Sequence, residues 1–213
     1  MLTSRNVWRY RSVRLILVRH GQTPCNIGNR FHGWEDCELT ETGLAQARAV
    51  ARRLTGERVD AVYSSDLRRA MQTARAIADP HGLQPLAEPG LRERSAGRFE
   101  GMDADGVTAL APTWQRDRSA DYWGWAPPDG ETLRQVLGRT LAVVERLQAE
   151  HGEGTVVAVT HMGPVRVLLS HLTGVSLEET YRVDFPSTGV TIFSFAAGEV
   201  RAEALNDASH VDM

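Results

Sequence analysis

Lysine is absent from this chain: all 24 basic residues are arginine. Against 27 acidic residues they leave a net charge of −3, which excludes the basic footprint of a nucleic-acid-binding protein. An arginine-only set is compatible with genome composition and with anion binding alike. Cysteine is scarce too. Cys25 and Cys37 have neither metal-ligand nor redox spacing, so the expectation is two reduced thiols in a cytoplasmic protein. No apolar run approaches the roughly 18 residues of a membrane span, so no membrane partner is expected. The basic start MLTSRNVWRYRS lacks the apolar stretch of a secretion signal, and residues 1–12 read as a loose extension. With 42% hydrophobic and 24% charged residues, what remains has the balance of a globular protein, and residues 13–213 suit one domain.

Apolar runs and helical stripes alternate along that domain. VRLILV (13–18) and TVVAVT (155–160) are continuously apolar and β-branched, as in strands covered on both faces, and DAVYSS (60–65) is a weaker third. Helical periodicity runs through 40–54, where Leu44, Ala47, Ala51 and Leu54 share a stripe, and through 65–78, which Ser65 or Asp66 can cap. Further helices are expected at 130–150 and at 163–174, the latter with Pro164 in its first turn and Gly174 at its end. Residues 189–205 read as a hairpin turning at Ala197-Gly198. Residues 95–128, rich in Gly, Pro, Asp and Trp, read as an irregular excursion. Strand–helix alternation predicts an α/β fold, a three-layer α/β/α sandwich with a mostly parallel central sheet and a C-terminal antiparallel hairpin.

One stretch needs a chemical explanation. In LILVRHGQTPCN the buried-strand pattern stops at Arg19, His20 and Gly21. Ligands of open α/β sheets bind beyond the carboxyl ends of the strands, so these residues are aimed at such a site. Thr160-His161-Met162-Gly163 ends another strand, ahead of a helix whose first N–H groups face the same edge. Gly21 and Gly163 allow close backbone approach. SSDLRRAMQTA brings Arg68 or Arg69 to the rim. Two histidines, two arginines and helix N-termini make an anion pocket, and arginine suits phosphate through its bidentate fork.

The motifs RHGQTPCN, NRFHGWEDCELTETG, SSDLRRAMQTA, LRERSAGRFEG, PPDGETL and VTHMG occur in this order. Together with the late LNDASHV they resemble the histidine phosphatase superfamily, which includes the cofactor-dependent phosphoglycerate mutases. The resemblance runs from about residue 14 to the end. It implies a phosphoglycerate mutase-like fold and assigns roles. His20 becomes the nucleophile that takes the phosphoryl group. Arg19, Arg69 and His161 hold the phosphoryl oxygens, Arg69 being preferred to Arg68 by the family's Arg-Ala-x-x-Thr-Ala pattern. Glu93 protonates the leaving alcohol and then activates water, a role that needs a carboxyl holding its proton near neutrality beside a phosphate dianion. Glu88 and Glu100 are its alternatives in another loop register. Gln22, Thr23, Asn26, His32, Gly33 and Gly163 are implied as secondary phosphate or substrate contacts. No metal and no cofactor are implied.

Departures from the family pattern bear on the reaction. Gln22 replaces a frequent glutamate, and Met162 stands where glycine is common. After FEGM the mutases continue Asn-Lys and later carry an Arg-Arg pair that grips a carboxylate. Here Asp103-Ala104 follows, and Arg116 and Arg118 are split by Asp117. The segment from Gly101 to Gly130 is also short. Hydrolysis of a small phosphorylated metabolite is therefore the expectation, with a mutase as the alternative and an inactive phosphate-binding protein as the alternative of another class. A homodimer is the candidate assembly.

Overall fold

The continuously apolar runs become the middle of a sheet. A computed structural model of the protein describes residues 12–28, 30–196 and 198–211. Its first half comprises β1 (Arg14–Arg19), α1 (Pro24–Ile27), α2 (Glu41–Leu54), β2 (Ala61–Ser64), α3 (Arg68–Ala78) and β3 (Leu86–Ala87). Then come α4 (Ala104–Leu110), α5 (Trp114–Ala120), α6 (Leu133–His151), β4 (Thr155–Thr160), α7 (Met162–Thr173) and α8 (Leu177–Thr180). The hairpin strands β5 (Val190–Ala196) and β6 (Glu199–Asp207) close the chain. The expected extension at 1–12 falls outside the described residues except for Ser12, as does Ala197 of the hairpin turn.

The sheet order is β3-β2-β4-β1-β5-β6. β1, β2, β3 and β4 pair in parallel, while β5 lies antiparallel to β1 and to β6. Side chains alternate across the sheet. Leu15, Leu17, Val156 and Ala158 meet Val143, Leu147, Val165 and Leu168 of α6 and α7 on one face. Ile16, Val18, Val157 and Val159 meet Val50, Leu54, Ala74 and Ile77 of α2 and α3 on the other. Both faces are covered, hence the unbroken apolar runs and the three-layer α/β/α sandwich. Each fully buried Leu, Ile or Val contributes about 1.5–3 kcal/mol through burial. No helix of the described residues is long and apolar enough to cross a membrane.

Helix boundaries follow their caps. Thr40 caps α2 by accepting from the Gly43 N–H at 3.0 Å, and Thr132 forms a capping box with Gln135 at the start of α6. Gly174, at φ 78°, ends α7 in the left-handed region. Neither Ser65 nor Asp66 caps α3, contrary to the sequence expectation. Asp66 is drawn off by Arg92 at 2.6 Å, and Asp36 from the loop before α2 accepts the Arg68 N–H at 2.7 Å instead. Within the expected excursion at 95–128, α4 and α5 each complete about two turns, with Trp114 packing on Phe99 and Val107. α1, α8 and the two-residue exposed β3 also have no counterpart in the sequence reading.

The turn after β1 is pressed against the start of α2. A Cβ on Gly21 would lie 2.5 Å from the Gly43 carbonyl oxygen, and a Cβ on Gly43 would collide with that of Gln22. Bare backbone on both sides lets the loop that carries His20 turn back over the sheet edge.

Candidate active site

At the carboxyl ends of β1 and β4 the two histidine-bearing motifs meet. The ring centroids of His20 and His161 are 5.0 Å apart. Gly21 N–H donates to Thr73 Oγ1 of α3 at 3.1 Å, and the Thr188 N–H donates to the His20 carbonyl at 3.3 Å, so the loop is held from two sides. A cavity of about 550 Å³ opens there. Arg19, His20, Gln22, Asn26, His32, Gly33, Arg69, Glu93 and Gly163 all line it.

Arg69 is the pivot. It is 1% exposed, whereas its neighbour Arg68 is exposed and paired with Asp36 and Glu38. Arg69 Nη1 and Nη2 donate to the carbonyls of Glu35 (2.7 Å) and Gly33 (2.9 Å), and Nε donates to His161 Nδ1 at 3.3 Å. No carboxylate of the described residues pairs with Arg69 or with Arg19, whose Nη1 donates to the Phe185 carbonyl.

These contacts fix both histidine tautomers. A carbonyl only accepts, so the 2.7 Å contact between His20 Nδ1 and the Gly21 oxygen requires the proton on Nδ1 and leaves the Nε2 lone pair free. A guanidinium only donates, so His161 Nδ1 is unprotonated and its Nε2–H reaches Ser65 Oγ at 2.8 Å. Burial, then Arg69 and Arg19, push His20 well below the ordinary histidine range. Burial, then Arg69, do the same to His161, and burial with the two arginines lowers His32 to about 4. Arg19 is itself lowered, chiefly by burial.

Glu93 faces this group from the loop after β3. Its carboxylate accepts from the Arg94 N–H at 2.7 Å and from the Gly163 N–H, at the start of α7, at 3.1 and 3.2 Å. A Cβ on Gly163 would collide with the Glu93 carboxylate, so a side chain there would push that carboxylate aside. Arg139 and Trp34 hold the Glu93 carbonyl at 2.8 and 2.7 Å. Glu88 and Glu100 are engaged elsewhere, with Arg146 and with the Trp34 N–H.

Two expected contacts sit behind the cavity wall. Thr23 is fully buried; its hydroxyl caps α1 and meets His32 Nε2 at 3.1 Å. His161 has both ring nitrogens taken by Arg69 and Ser65, so it acts on the cavity through Arg69 rather than at its surface. Arg94, Arg166 and Tyr181 line the cavity without being singled out in the sequence, Arg118 lines it too, and Ser65 reads in the sequence only as a helix cap. Trp114 and Trp125 both pack the α4–α5 region and line the cavity. Cys25, His32 and Cys37, without metal-ligand spacing in sequence, bring one ligand atom each within 4.8 Å of one another.

The family model of the histidine phosphatase superfamily (branch 1) matches residues 15–208. The chain belongs to this superfamily. Among similar histidine phosphatase-like proteins is the probable phosphoglycerate mutase GpmB of Yersinia pestis, 30% identical over 94% of this chain and 96% of that protein. Bacillus stearothermophilus YhfR superposes with a TM-score of 0.87 at 29% identity, covering 93% of this chain and 99% of that one. A mycobacterial glucosyl-3-phosphoglycerate phosphatase in complex with VO3 gives a TM-score of 0.82 at 31% identity, covering 91% and 98%. Histidine phosphatase membership and these phosphatase neighbours make the chain an enzyme of the phosphoric monoester hydrolase class.

The lowered histidines link pH to stability in a histidine phosphatase of this build. They are harder to protonate folded than unfolded, so the unfolded chain gains protons first as pH falls below about 6.5. Their contribution is therefore complete above that pH and is lost below it, by up to about 1.4 kcal/mol per pH unit for each proton. His32→Asn removes one such group. Denaturant titrations in phosphate-free buffer should show a shallower acid loss for the variant between the unfolded value and about 4. An identical slope would mean His32 is not lowered.

Proposed function

We propose that the protein is a metal-independent phosphatase of small phosphomonoesters, working through a phosphohistidine on His20. The observation that carries this reading is the free Nε2 lone pair of His20, kept neutral beside arginines that have no carboxylate partner. In the first step Nε2 attacks phosphorus, the N–P bond forms, the ester P–O bond breaks, and Glu93 gives its proton to the leaving oxygen. In the second step Glu93, now a carboxylate, takes a proton from water; the water oxygen attacks phosphorus, the N–P bond breaks, and inorganic phosphate leaves. Arg19 and Arg69 stabilise the charge on the equatorial oxygens throughout. His161 positions Arg69. Cytoplasmic location, with no nucleic-acid or membrane partner, completes the reading.

A mutase is the second reading, favoured by the name of the Yersinia relative. It needs a phosphoenzyme protected from water and a bisphosphorylated primer. The short segment from 101 to 130 and the split Arg116 and Arg118 favour hydrolysis.

Brief exposure to a radiolabelled phosphoester should give an acid-labile, base-stable adduct on His20, absent from His20→Ala. Turnover should survive EDTA and gain nothing from 2,3-bisphosphoglycerate. Label on serine or aspartate would overturn the mechanism, and rescue of an EDTA-treated enzyme by Mg²⁺ would restore a metal.

The acid has its own signature. Glu93→Gln should lower kcat by about 10²–10⁴-fold on an alkyl phosphate, whose leaving group needs a proton. On p-nitrophenyl phosphate, whose leaving group departs as an anion, the loss in the phosphorylation step measured by rapid quench should be much smaller. Equal losses on both esters would remove Glu93 from this role.

A further inference from the structure

Both cysteines of the chain stand beside the cavity, and the steps above use neither. Cys25 of α1, His32 and Cys37 each present one ligand atom, and these atoms lie within 4.8 Å of one another. Among the described residues no other group of three His, Cys, Asp or Glu side chains meets so closely. Both thiols are free, and all three side chains are half-buried, open enough for a small ion to enter. Cys25 and His32 line the cavity, whereas Cys37 lies behind them.

Hydrogen bonds leave the imidazole ready to ligate. The Thr23 N–H donates to Asn26 Oδ1 at 2.9 Å, and the Thr23 hydroxyl, 2.9 Å from the same oxygen, spends its one proton there. That hydroxyl is therefore the acceptor in its 3.1 Å contact with His32 Nε2. The His32 proton is thus on Nε2, and Nδ1 keeps a bare lone pair. Metal-binding histidines are held in this way, one ring nitrogen donating to an oxygen and the other facing the ion.

The backbone between the ligands is fixed as well. Arg69 holds the Gly33 and Glu35 carbonyls at 2.9 and 2.7 Å, and the Glu35 N–H donates to the His32 carbonyl at 2.7 Å. Charge is balanced too. Both cysteines bind as thiolates, so two protons leave as one divalent cation enters. The ion then adds no net charge beside Arg69 and Arg19, which act on His32. Two thiolates and an imidazole suit Zn²⁺ and its soft relatives, whereas Mg²⁺ and Ca²⁺ take oxygen ligands.

We propose that Cys25, His32 and Cys37 form a binding site for a thiophilic divalent cation of the zinc class, and that the bound ion obstructs the cavity as an inhibitor. The binding stands by itself; the inhibition rests on the hydrolysis reading. The ion takes no part in the reaction, which proceeds on His20 and the arginines.

Cobalt reports the binding. Co²⁺ titrated into the reduced protein should give a thiolate-to-metal absorption band that saturates at one ion per chain and that Zn²⁺ abolishes by displacement. Cys37→Ser and His32→Asn should each weaken Co²⁺ by about 10- to 100-fold or more, the loss that follows even when a partner one shell further out is removed. Cys37→Ser should hydrolyse p-nitrophenyl phosphate in EDTA as the wild type does, yet need about 10- to 100-fold more Zn²⁺ for half-inhibition. No band in the wild type, or an affinity unchanged in both variants, would overturn the site. Equal Zn²⁺ inhibition of the wild type and Cys37→Ser would put the inhibitory ion elsewhere and overturn the obstruction. A wild type that binds Co²⁺ through these ligands but hydrolyses no ester in EDTA would uphold the site and remove the hydrolysis reading instead.

Discussion

A buried cation with no counter-ion governs this molecule. Arg69 has backbone carbonyls and an imidazole nitrogen as partners, and a carboxylate in that place would cancel its field. Burial first, and then its charge with that of Arg19, lower His20, His32 and His161 below the ordinary histidine range. The same guanidinium fixes the loop carrying Gly33 and Glu35 and orients His161, which Ser65 secures from the other side.

The scaffold serves that arrangement by supplying rigid edges. β1 and β4 are adjacent parallel strands in register, Arg19 opposite Thr160, so the residues following each strand emerge side by side. Backbone contacts finish the alignment: the loop before β5 bonds to the His20 carbonyl, and Thr73 of α3 bonds to Gly21. The less regular α4–α5 region and α7 complete the cavity wall, where aromatic side chains lie against further arginines.

Much of this was legible in the sequence because burial leaves a pattern. β1 and β4 are covered on both faces and read as unbroken apolar runs, and the abrupt stop at Arg19-His20-Gly21 marked the ligand edge. Arg69 was separated from Arg68 only by the family pattern; in the structure their contrast is plain, one buried against His161 and the other exposed against Asp36 and Glu38. Ser65 resembled a helix cap because its hydroxyl can serve the backbone, and it does accept from the Leu67 N–H at 3.4 Å, but its shorter contact, at 2.8 Å, is with the His161 ring. α4 and α5 lack a long apolar stripe, and β3 is too short and exposed to leave one. Arg94, Arg118 and Arg166 each look like an ordinary surface arginine in sequence. Only their convergence on one wall sets them apart.

The central claim is that burial, together with the adjacent arginines, holds His20 as a neutral imidazole with a bare Nε2. Long-range ¹H–¹⁵N correlation spectra of the histidine side chains, recorded at about pH 6, just below the ordinary histidine value of about 6.5, read this directly. The prediction is two neutral rings in opposite tautomers, His20 protonated on Nδ1 and His161 on Nε2. An imidazolium at His20, or a proton on its Nε2, would contradict the account.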